Sequence, residues 1–368
     1  MTKDKIDRDN SKFIYQQICD IILNKIKNRE YKKGKLIPSE RELSNELEVS
    51  RYTIRKAIEE LVHQGYLYRV QGTGTFVYDT QGEKENKKNN SKQIGVIMPY
   101  TDGVNIEILN GIENALDGSD YTFILKDHFN DYKKEAEIIQ FMKSQMVDGL
   151  IINPAEDQKD STAIYDLKSE KFPFVLVDRK LQFCHTSCVM ADNINGSYEA
   201  TEYLIQLGHE NIMFLKGHYS NTSTIEDRIT GYKRALREYG IEANDVFTYD
   251  EQQSRDKINE QIYNHIEKNN ITGVICVNDI IVIDLIKMSR KYEIKIPEEL
   301  SVVSFDYTDK IKHLEIKLTT VNQHSDIIGK KSVNLLLEYI EENNQEKEIQ
   351  QIYQSCDLEI RDSCKSLD

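Results

Sequence analysis

Residues 38–78 read PSERELSNELEVSRYTIRKAIEELVHQGYLYRVQGTGTFVY, and the elements they dictate decide the N-terminal fold. Ser39 stands three residues before Glu42, a capping box that starts a helix over Glu40–Leu47. Ser50, with Thr53 at the third helical position, caps a second helix that runs to about Gln64, where Gly65 stops it. Ile54, Ala57, Ile58 and Leu61 recur at helical spacing and form its buried stripe. Tyr66–Val70 and Thr75–Tyr78 then alternate as two short strands about the turn Gln71-Gly-Thr-Gly74. Upstream, Phe13, Ile14, Ile18, Ile21, Ile22 and Ile26 mark a further helix. Two short helices joined by a tight turn and followed by a hairpin make a winged helix-turn-helix.

That shape fits duplex DNA. An α-helix enters the major groove, and the N-terminal residues of a recognition helix read base edges. Here the first turn offers Arg51, Tyr52, Thr53 and Arg55. Arginine donates two hydrogen bonds to guanine O6 and N7, and threonine meets a phosphate or a thymine methyl. Arg41, on the preceding helix, is within reach of the backbone or the groove edge. Gly72 and Gly74 let the wing backbone approach the minor groove without a Cβ. The stretches Pro38-Ser-Glu-Arg-Glu-Leu-Ser44, Ser50-Arg-Tyr-Thr-Ile-Arg-Lys-Ala57 and Gln71-Gly-Thr-Gly-Thr-Phe-Val77 resemble the GntR family of bacterial regulators. The resemblance spans about Phe13 to Tyr78. It implies double-stranded operator DNA as a partner, with contacts on Arg41, Ser50, Arg51, Tyr52, Thr53, Arg55, Gln71 and Gly72.

Downstream, Asp79–Gln93 (DTQGEKENKKNNSKQ) holds no apolar residue and reads as a flexible linker. It separates a front domain, residues 1–78, from a rear domain, residues 94–368. The whole chain of 368 residues carries a net charge of −14, which taken alone argues against an anionic partner. The charge is unevenly spread. Residues 1–80 hold nine Lys and six Arg against five Asp and seven Glu, a net of +3, which leaves −17 for the remainder. Such asymmetry suits a nucleic-acid-binding head on a body with another task. No apolar run approaches the roughly 20 residues that cross a bilayer, and the start, MTKDKIDRDN, lacks a secretory apolar region. The six cysteines are sparse and read as reduced thiols, so a cytoplasmic protein without membrane association is expected.

From Ile94 apolar strands alternate with amphipathic helices. Residues 94–98, 121–125, 149–153, 174–178, 211–215, 273–277 and 301–305 are the candidate strands. Helices are expected over Val104–Leu116, Lys133–Gln145, Gly196–Gln206, Thr230–Tyr239 and Ile280–Lys291. Strands apolar on both faces and separated by helices imply parallel sheets covered on both sides, with ligand held at their C-terminal ends. The expected fold class is α/β: a winged helix-turn-helix domain plus a two-lobed, periplasmic-binding-protein-like domain with parallel sheets. No catalytic motif is present, so no enzyme and no cofactor are expected. Cys184-His-Thr-Ser-Cys188 lacks a second paired set, so no metal site is expected either.

Polar residues follow these strands or open helices: Asp178-Arg179, Asp192-Asn193 with Gly196, Asp227-Arg228, Asn278-Asp279, Asp306 and Asn322-Gln323. The series resembles the LacI/GalR regulators and the related ribose-binding proteins, from about Gln93 to Arg361. That resemblance implies sugar contacts on Asp178, Arg179, Arg228, Asn278, Asp306 and Gln323. Carboxylates accept from adjacent hydroxyls while arginine and asparagine donate back. Asp178 and Arg179 also fit a structural ion pair, and Asp192-Asn193 fits a helix cap better than a ligand contact. With no Trp in the chain, the apolar face of a sugar would rest on Tyr100, Phe183 or Tyr307, and His128 would add a hydroxyl contact. A GntR-type head on a LacI/GalR-type body resembles the arabinose-responsive repressors of Bacillus-type bacteria. It implies a homodimer and favours L-arabinose as the effector; the pocket residues themselves suit any pentose or small hexose, and the alternative is a repressor or activator of another carbohydrate pathway with a different sugar or a sugar phosphate as effector.

Overall fold

The structure is a computed structural model. It describes residues 14–367 apart from residues 29, 33, 64–65, 71–73, 78–90, 101–102, 156–161, 182–183, 219–221, 243–244 and 342–347. Most of the expected linker therefore lies outside the described residues, as do Gln71, Gly72 and Phe183. The chain divides into two compact units, Met1–Lys88 and Asn89–Asp368. Among the described residues, no helix is long and apolar enough to cross a membrane.

The first unit holds helices α1 (Ile14–Lys27), α2 (Glu40–Leu47) and α3 (Arg51–His63), then an antiparallel pair, β1 (Leu67–Val70) and β2 (Gly74–Val77). The capping box forms as its spacing predicts. The Ser39 N–H donates to Glu42 Oε2 (2.8 Å), and the Glu42 N–H donates to Ser39 Oγ (3.3 Å). Donation from the Ser39 hydroxyl (2.8 Å) and from the Ser39 N–H holds the Glu42 carboxyl below the usual range. At α3 the Thr53 N–H donates to Ser50 Oγ (3.1 Å). Between α2 and α3, Glu48 takes the left-handed conformation (φ 54°) that turns the chain. Ile18, Ile22, Leu43, Ile54, Ile58, Leu61, Leu67 and Val77 form the core.

The second unit has two lobes. In lobe 1 a parallel sheet runs in the order β13 (Gln351–Gln354), β7 (Cys188–Ala191), β6 (Phe174–Val177), β5 (Gly149–Ile152), β3 (Gln93–Ile97), β4 (Thr122–Lys126). Lobe 2 runs β14 (Asp357–Glu359), β12 (Thr319–Asn322), β11 (Ser301–Phe305), β10 (Gly273–Cys276), β8 (Ile212–Gly217), β9 (Val246–Tyr249); β14 alone among these strands is antiparallel to its neighbour. Helices α4 (Gly103–Leu116), α5 (Tyr132–Ser144), α6 (Thr162–Ser169) and α12 (Ser325–Glu341) cover lobe 1. Lobe 2 is covered by α7 (Asn193–Gln206), α8 (Ser223–Glu238), α9 (Arg255–Asn269), α10 (Asp279–Lys291) and the short α11 (Asp309–Lys312).

All seven expected strands are present, β3 beginning one residue early at Gln93. Helix α8 starts at Ser223 rather than Thr230, which places Arg228 inside the helix on its buried face. Two helices exchange lobes. Helix α7 follows a lobe 1 strand but packs in lobe 2, and α12 follows a lobe 2 strand but packs in lobe 1.

Each exchanged helix crosses a neighbour at close range. A Cβ at Gly111 of α4 would lie 1.9 Å from the Asp326 carbonyl, at the start of α12, and one at Gly329 would lie 2.1 Å from the Ile108 carbonyl. In lobe 2, a Cβ at Gly231 would lie 2.0 Å from the Ile194 carbonyl. A backbone carbonyl cannot swing aside, so the helices would have to separate. Gly231→Ala is accordingly expected to destabilise the body by about 1–3 kcal/mol, the range for overpacking, read as a lower urea midpoint. An unchanged midpoint would mean that the α7–α8 crossing tolerates a wider separation.

Candidate functional site

In the first unit, Arg41, Arg51 and Arg55 are exposed, and Tyr52 is 78% exposed, because the apolar stripe of α3 is turned to the core on its opposite face. Ser50 and Thr53 are tied to each other, their hydroxyls 2.7 Å apart, so both serve the helix start. Sequence reasoning missed Glu40. Its carboxylate accepts from Arg55 Nε (3.3 Å) and from Arg69 NH2 (2.6 Å), bringing α2, α3 and β1 together at this surface.

In the second unit, a cleft of about 360 Å³ lies where the strands of both lobes end, within the usual range for a small-molecule site. Asp178 and Arg179 reach it from the end of β6. Arg228 of α8, Asn278 at the start of α10, Asp306 at the end of β11 and Gln323 after β12 face them. Six of the eight expected effector residues are thus brought together.

Asp178 and Asp306 have the same setting in the two lobes. Each follows a strand in the left-handed conformation (φ 67° and 68°), with its N–H donating to the neighbouring strand, at Val189 (2.9 Å) and Val321 (3.0 Å). Sparsely populated backbone of this kind concentrates at functional sites. Arg179 Nε lies 3.3 Å from Asp178 Oδ2, the ion pair that its position allows. Arg228 is held on three sides. Its Nε donates to Asn193 Oδ1 (2.7 Å), NH1 donates to the Val277 carbonyl (2.5 Å), and the guanidinium lies 4.0 Å over the Phe305 ring. Asp192 caps α7, its Oδ1 accepting from the Asn195 N–H (3.2 Å), while its neighbour Asn193 orients the arginine.

The acceptor side is equally built. Gln323 Nε2 donates to Asp306 Oδ1, and Gln323 Oε1 is buried without a donor among the described residues. Behind the wall, Asn153 Nδ2 donates to Asn105 Oδ1 (2.7 Å) and Asp178 Oδ2 (3.5 Å), and Asn153 Oδ1 likewise lacks a described donor. A buried acceptor without a donor is costly, so such a wall suits a ligand rich in hydroxyl donors. Burial pushes the Asp306 carboxyl up to about 7, against the pull of Arg228 and Gln323, and the carboxylates of Asp279 and Asp178 push the same way.

The remaining two residues stand elsewhere. Tyr100 is 44% exposed and off the cleft wall. His128 is fully buried, and both ring nitrogens are used: Nε2–H donates to the Asn153 carbonyl (2.8 Å), and Nδ1 accepts the Asn130 N–H (3.0 Å). Burial pushes its imidazole below the usual range, against the Asn153 bond and Asp127. His128 therefore supports Asn130, a cleft residue that the sequence did not single out, instead of facing the cleft itself. No aromatic ring lines the wall among the described residues: Tyr307 is stacked under the Arg361 guanidinium (3.9 Å), and the apolar surface comes from Pro99, Val104, Ile225 and Ile280. Gly103, Asn105, Thr222, Thr224, Asp279 and Lys310 complete the lining. Of these only Asp279 had a visible signal, its place beside Asn278.

Residues 91–361 match the family described as periplasmic binding proteins and sugar binding domain of LacI family, and residues 14–77 match the bacterial regulatory proteins of the gntR family. The chain belongs to the LacI-type sugar-binding family, with a GntR-type head. It is 31% identical over 345 residues to the arabinose metabolism transcriptional repressor of Halalkalibacterium halodurans, covering 91% of this chain and 90% of that protein. It is 27% identical over 364 residues to the protein of the same name from Geobacillus stearothermophilus, covering 96% and 98%. A solved LacI family regulator from Enterococcus faecium with bound ribose is 28% identical, with a TM-score of 0.62, over 75% of this chain and all of that one. The GntR-type head and LacI-type body agree with the resemblances that the motifs carry.

Asp306→Asn separates the cost of this site from its use. Asparagine tolerates left-handed backbone, so the change removes a charge and leaves the shape. A carboxyl whose native pKa is raised contributes stability that is full below its unfolded value, near 4, and lost as pH rises through about 7. The variant should melt several degrees above the parent at about pH 8 and match it near pH 4, by calorimetry across that range. Equal melting at pH 8 would show that burial of this carboxyl carries no such cost.

Proposed function

We propose that this chain is a sugar-released repressor of carbohydrate-utilisation genes, with L-arabinose as the favoured effector. Residues 1–78 read operator DNA through Arg41, Arg51, Tyr52, Thr53 and Arg55, with Ser50 at the helix start and Gln71 and Gly72 on the wing. Residues 79–93 link this head to a sensing body, residues 94–368, that also dimerises. The reading makes the protein a cytoplasmic homodimer on a palindromic operator, since two-fold symmetry in the protein requires matching half-sites.

One observation carries the reading: the cleft wall draws Asp178 and Arg179 from lobe 1 and Arg228, Asn278, Asp306 and Gln323 from lobe 2. A ligand that binds both sets has more contacts when the lobes are closed. It shifts the closed population by no more than its differential affinity, and the shift reaches the head as a change in operator affinity. The wall also argues for the ligand's charge. Asp178, Asp279 and Asp306 stand against Arg179, Arg228 and Lys310, a balance that suits a neutral polyol. A sugar phosphate, the alternative, would meet three carboxylates. The relatives named as arabinose metabolism repressors support L-arabinose, and a ribose-bound relative supports a pentose-sized ligand.

An operator selected from random duplexes by the full-length protein provides the test. L-arabinose should lower operator affinity, with other sugars and a sugar phosphate as comparison arms; the switch fails if none of them changes binding. Arg51→Ala should weaken operator binding about 5- to 150-fold, the loss of one bidentate base contact, and leave sugar affinity unchanged. Normal operator binding by that variant would reassign the recognition helix.

A further inference from the structure

Two runs of residues meet across the mouth of the cleft. Asp178-Arg179-Lys180 leaves β6 in lobe 1, and Thr222 to Arg228 opens α8 in lobe 2. The cleft-lining members of these runs are Asp178, Arg179, Thr222, Thr224, Ile225 and Arg228. Lys180 and Asp227 are not on the wall, yet each is the immediate neighbour of a residue that is. Lys180 Nζ donates to both Asp227 carboxylate oxygens, at 3.0 and 3.4 Å, and the Lys180 N–H donates to Ser223 Oγ (3.2 Å). Their side chains are only 34% and 19% exposed, so solvent screens this pair less than a surface pair. Burial alone would push the Lys180 ammonium down; the bond and charge of Asp227 more than offset it, and the ammonium is raised.

We propose that the Lys180–Asp227 pair is an interlobe strap that sets the effector affinity of the cleft by favouring the closed arrangement of the lobes. Both are positioning residues: they hold Arg228 of lobe 2 opposite Asp178 of lobe 1 and touch no ligand. The proposal rests on the reading of the cleft as the effector site.

The argument is one of populations. A ligand that bridges both lobes needs the closed form, so its apparent dissociation constant is the intrinsic value divided by the closed fraction. A residue that changes only that fraction changes the affinity of every bridging ligand by one common factor. A residue that touches the ligand changes the ratio between ligands. The strap and the cleft residues are thus distinguishable even though they adjoin in the chain.

The test uses the full-length protein and Lys180→Met, which keeps the apolar stem, together with Asp227→Asn and the double exchange Lys180→Asp with Asp227→Lys. Spin labels on unnatural residues at exposed Glu137 of α5 and Glu260 of α9 report the lobe-to-lobe distance without any ligand. Each single variant should shift that distribution to longer distances, and the double exchange should return it towards the parent. Calorimetry should show L-arabinose and D-ribose weakened by the same factor, about three- to tenfold, with their ratio unchanged. An unchanged distance distribution, or a changed ratio between the two sugars, overturns the strap. If the parent binds neither sugar, the effector reading fails, and the ligand-free distances still decide the strap.

Discussion

The chain passes between the two lobes after Ala191, after Asn322 and after Gln354, and the rest of the body depends on those crossings. Hydrogen bonds knit them together. The Asp192 N–H donates to the Gln354 carbonyl (2.7 Å), the Cys356 thiol to the Asp192 carbonyl (3.6 Å), and His324 Nε2 lies 2.7 Å from Asp357 Oδ2. Three linked crossings restrict how the lobes can move relative to each other. They also carry α7 and α12 into the opposite lobe, so each lobe contains a helix that follows a strand of the other. The close helix crossings at Gly111, Gly329 and Gly231 hold those exchanged helices in place. Asn193, which holds Arg228 of the cleft, sits just after one crossing, and the cleft residue Gln323 lies within another. A shift at the cleft wall is therefore a shift at the hinge.

Charge is organised to match. A body of net −17 repels nucleic acid, which leaves the head, at +3, to supply the DNA contacts. So small a positive excess gives modest affinity per head, and in the proposed homodimer two heads paired on one site would compensate for it. Within the body, burial first and the carboxylates of Asp279 and Asp178 after it raise the protonation of Asp306, an arrangement unfavourable to the empty protein. Hydroxyl groups donating to Asp306 and Gln323 would relieve that cost, so on the proposed reading the destabilising features of the cleft are the ones that would recognise a polyol.

Fold and site were legible to different depths. Strands apolar on both faces, such as Gly149–Ile152 and Phe174–Val177, stood out because both sheets are covered by helices. Not every unforeseen strand is mixed: Cys188–Ala191 is apolar and buried throughout, whereas Thr319–Asn322 is polar at three of its four positions and Gln351–Gln354 alternates weakly. Helix α9 carries only Ile258, Ile262 and Ile266 as a widely spaced apolar stripe in a polar segment. Position in the chain showed which polar residues follow strands or open helices, and Asp178, Arg179, Arg228, Asn278, Asp306 and Gln323 from that series lie on one wall. It did not show which way each side chain turns. His128 follows a strand as Asp178 does, yet its ring is consumed by the Asn153 carbonyl and the Asn130 N–H. Asn153 ends a strand that reads as pure core, and its amide supports two cleft residues. Side-chain direction depends on backbone conformation at the strand end, and neither composition nor periodicity encodes it.

The two lobes also repeat one device. Each ends a strand in an aspartate held in the left-handed region, and neither lobe offers a full set of contacts alone. The left-handed backbone aims both carboxylates at the shared space, at a cost that the neighbouring strand's hydrogen bonds help to offset. Like charges at Asp178 and Asp306 oppose closure of the empty cleft, and the Lys180–Asp227 pair beside them favours it. When two opposing terms of similar size set a conformational balance, a small ligand's differential affinity is enough to move it. A cleft without the opposing carboxylates would close without sugar, and one without the pair would demand much more sugar to close. On the proposed reading, a balance held by both is one that a ligand of modest differential affinity can move.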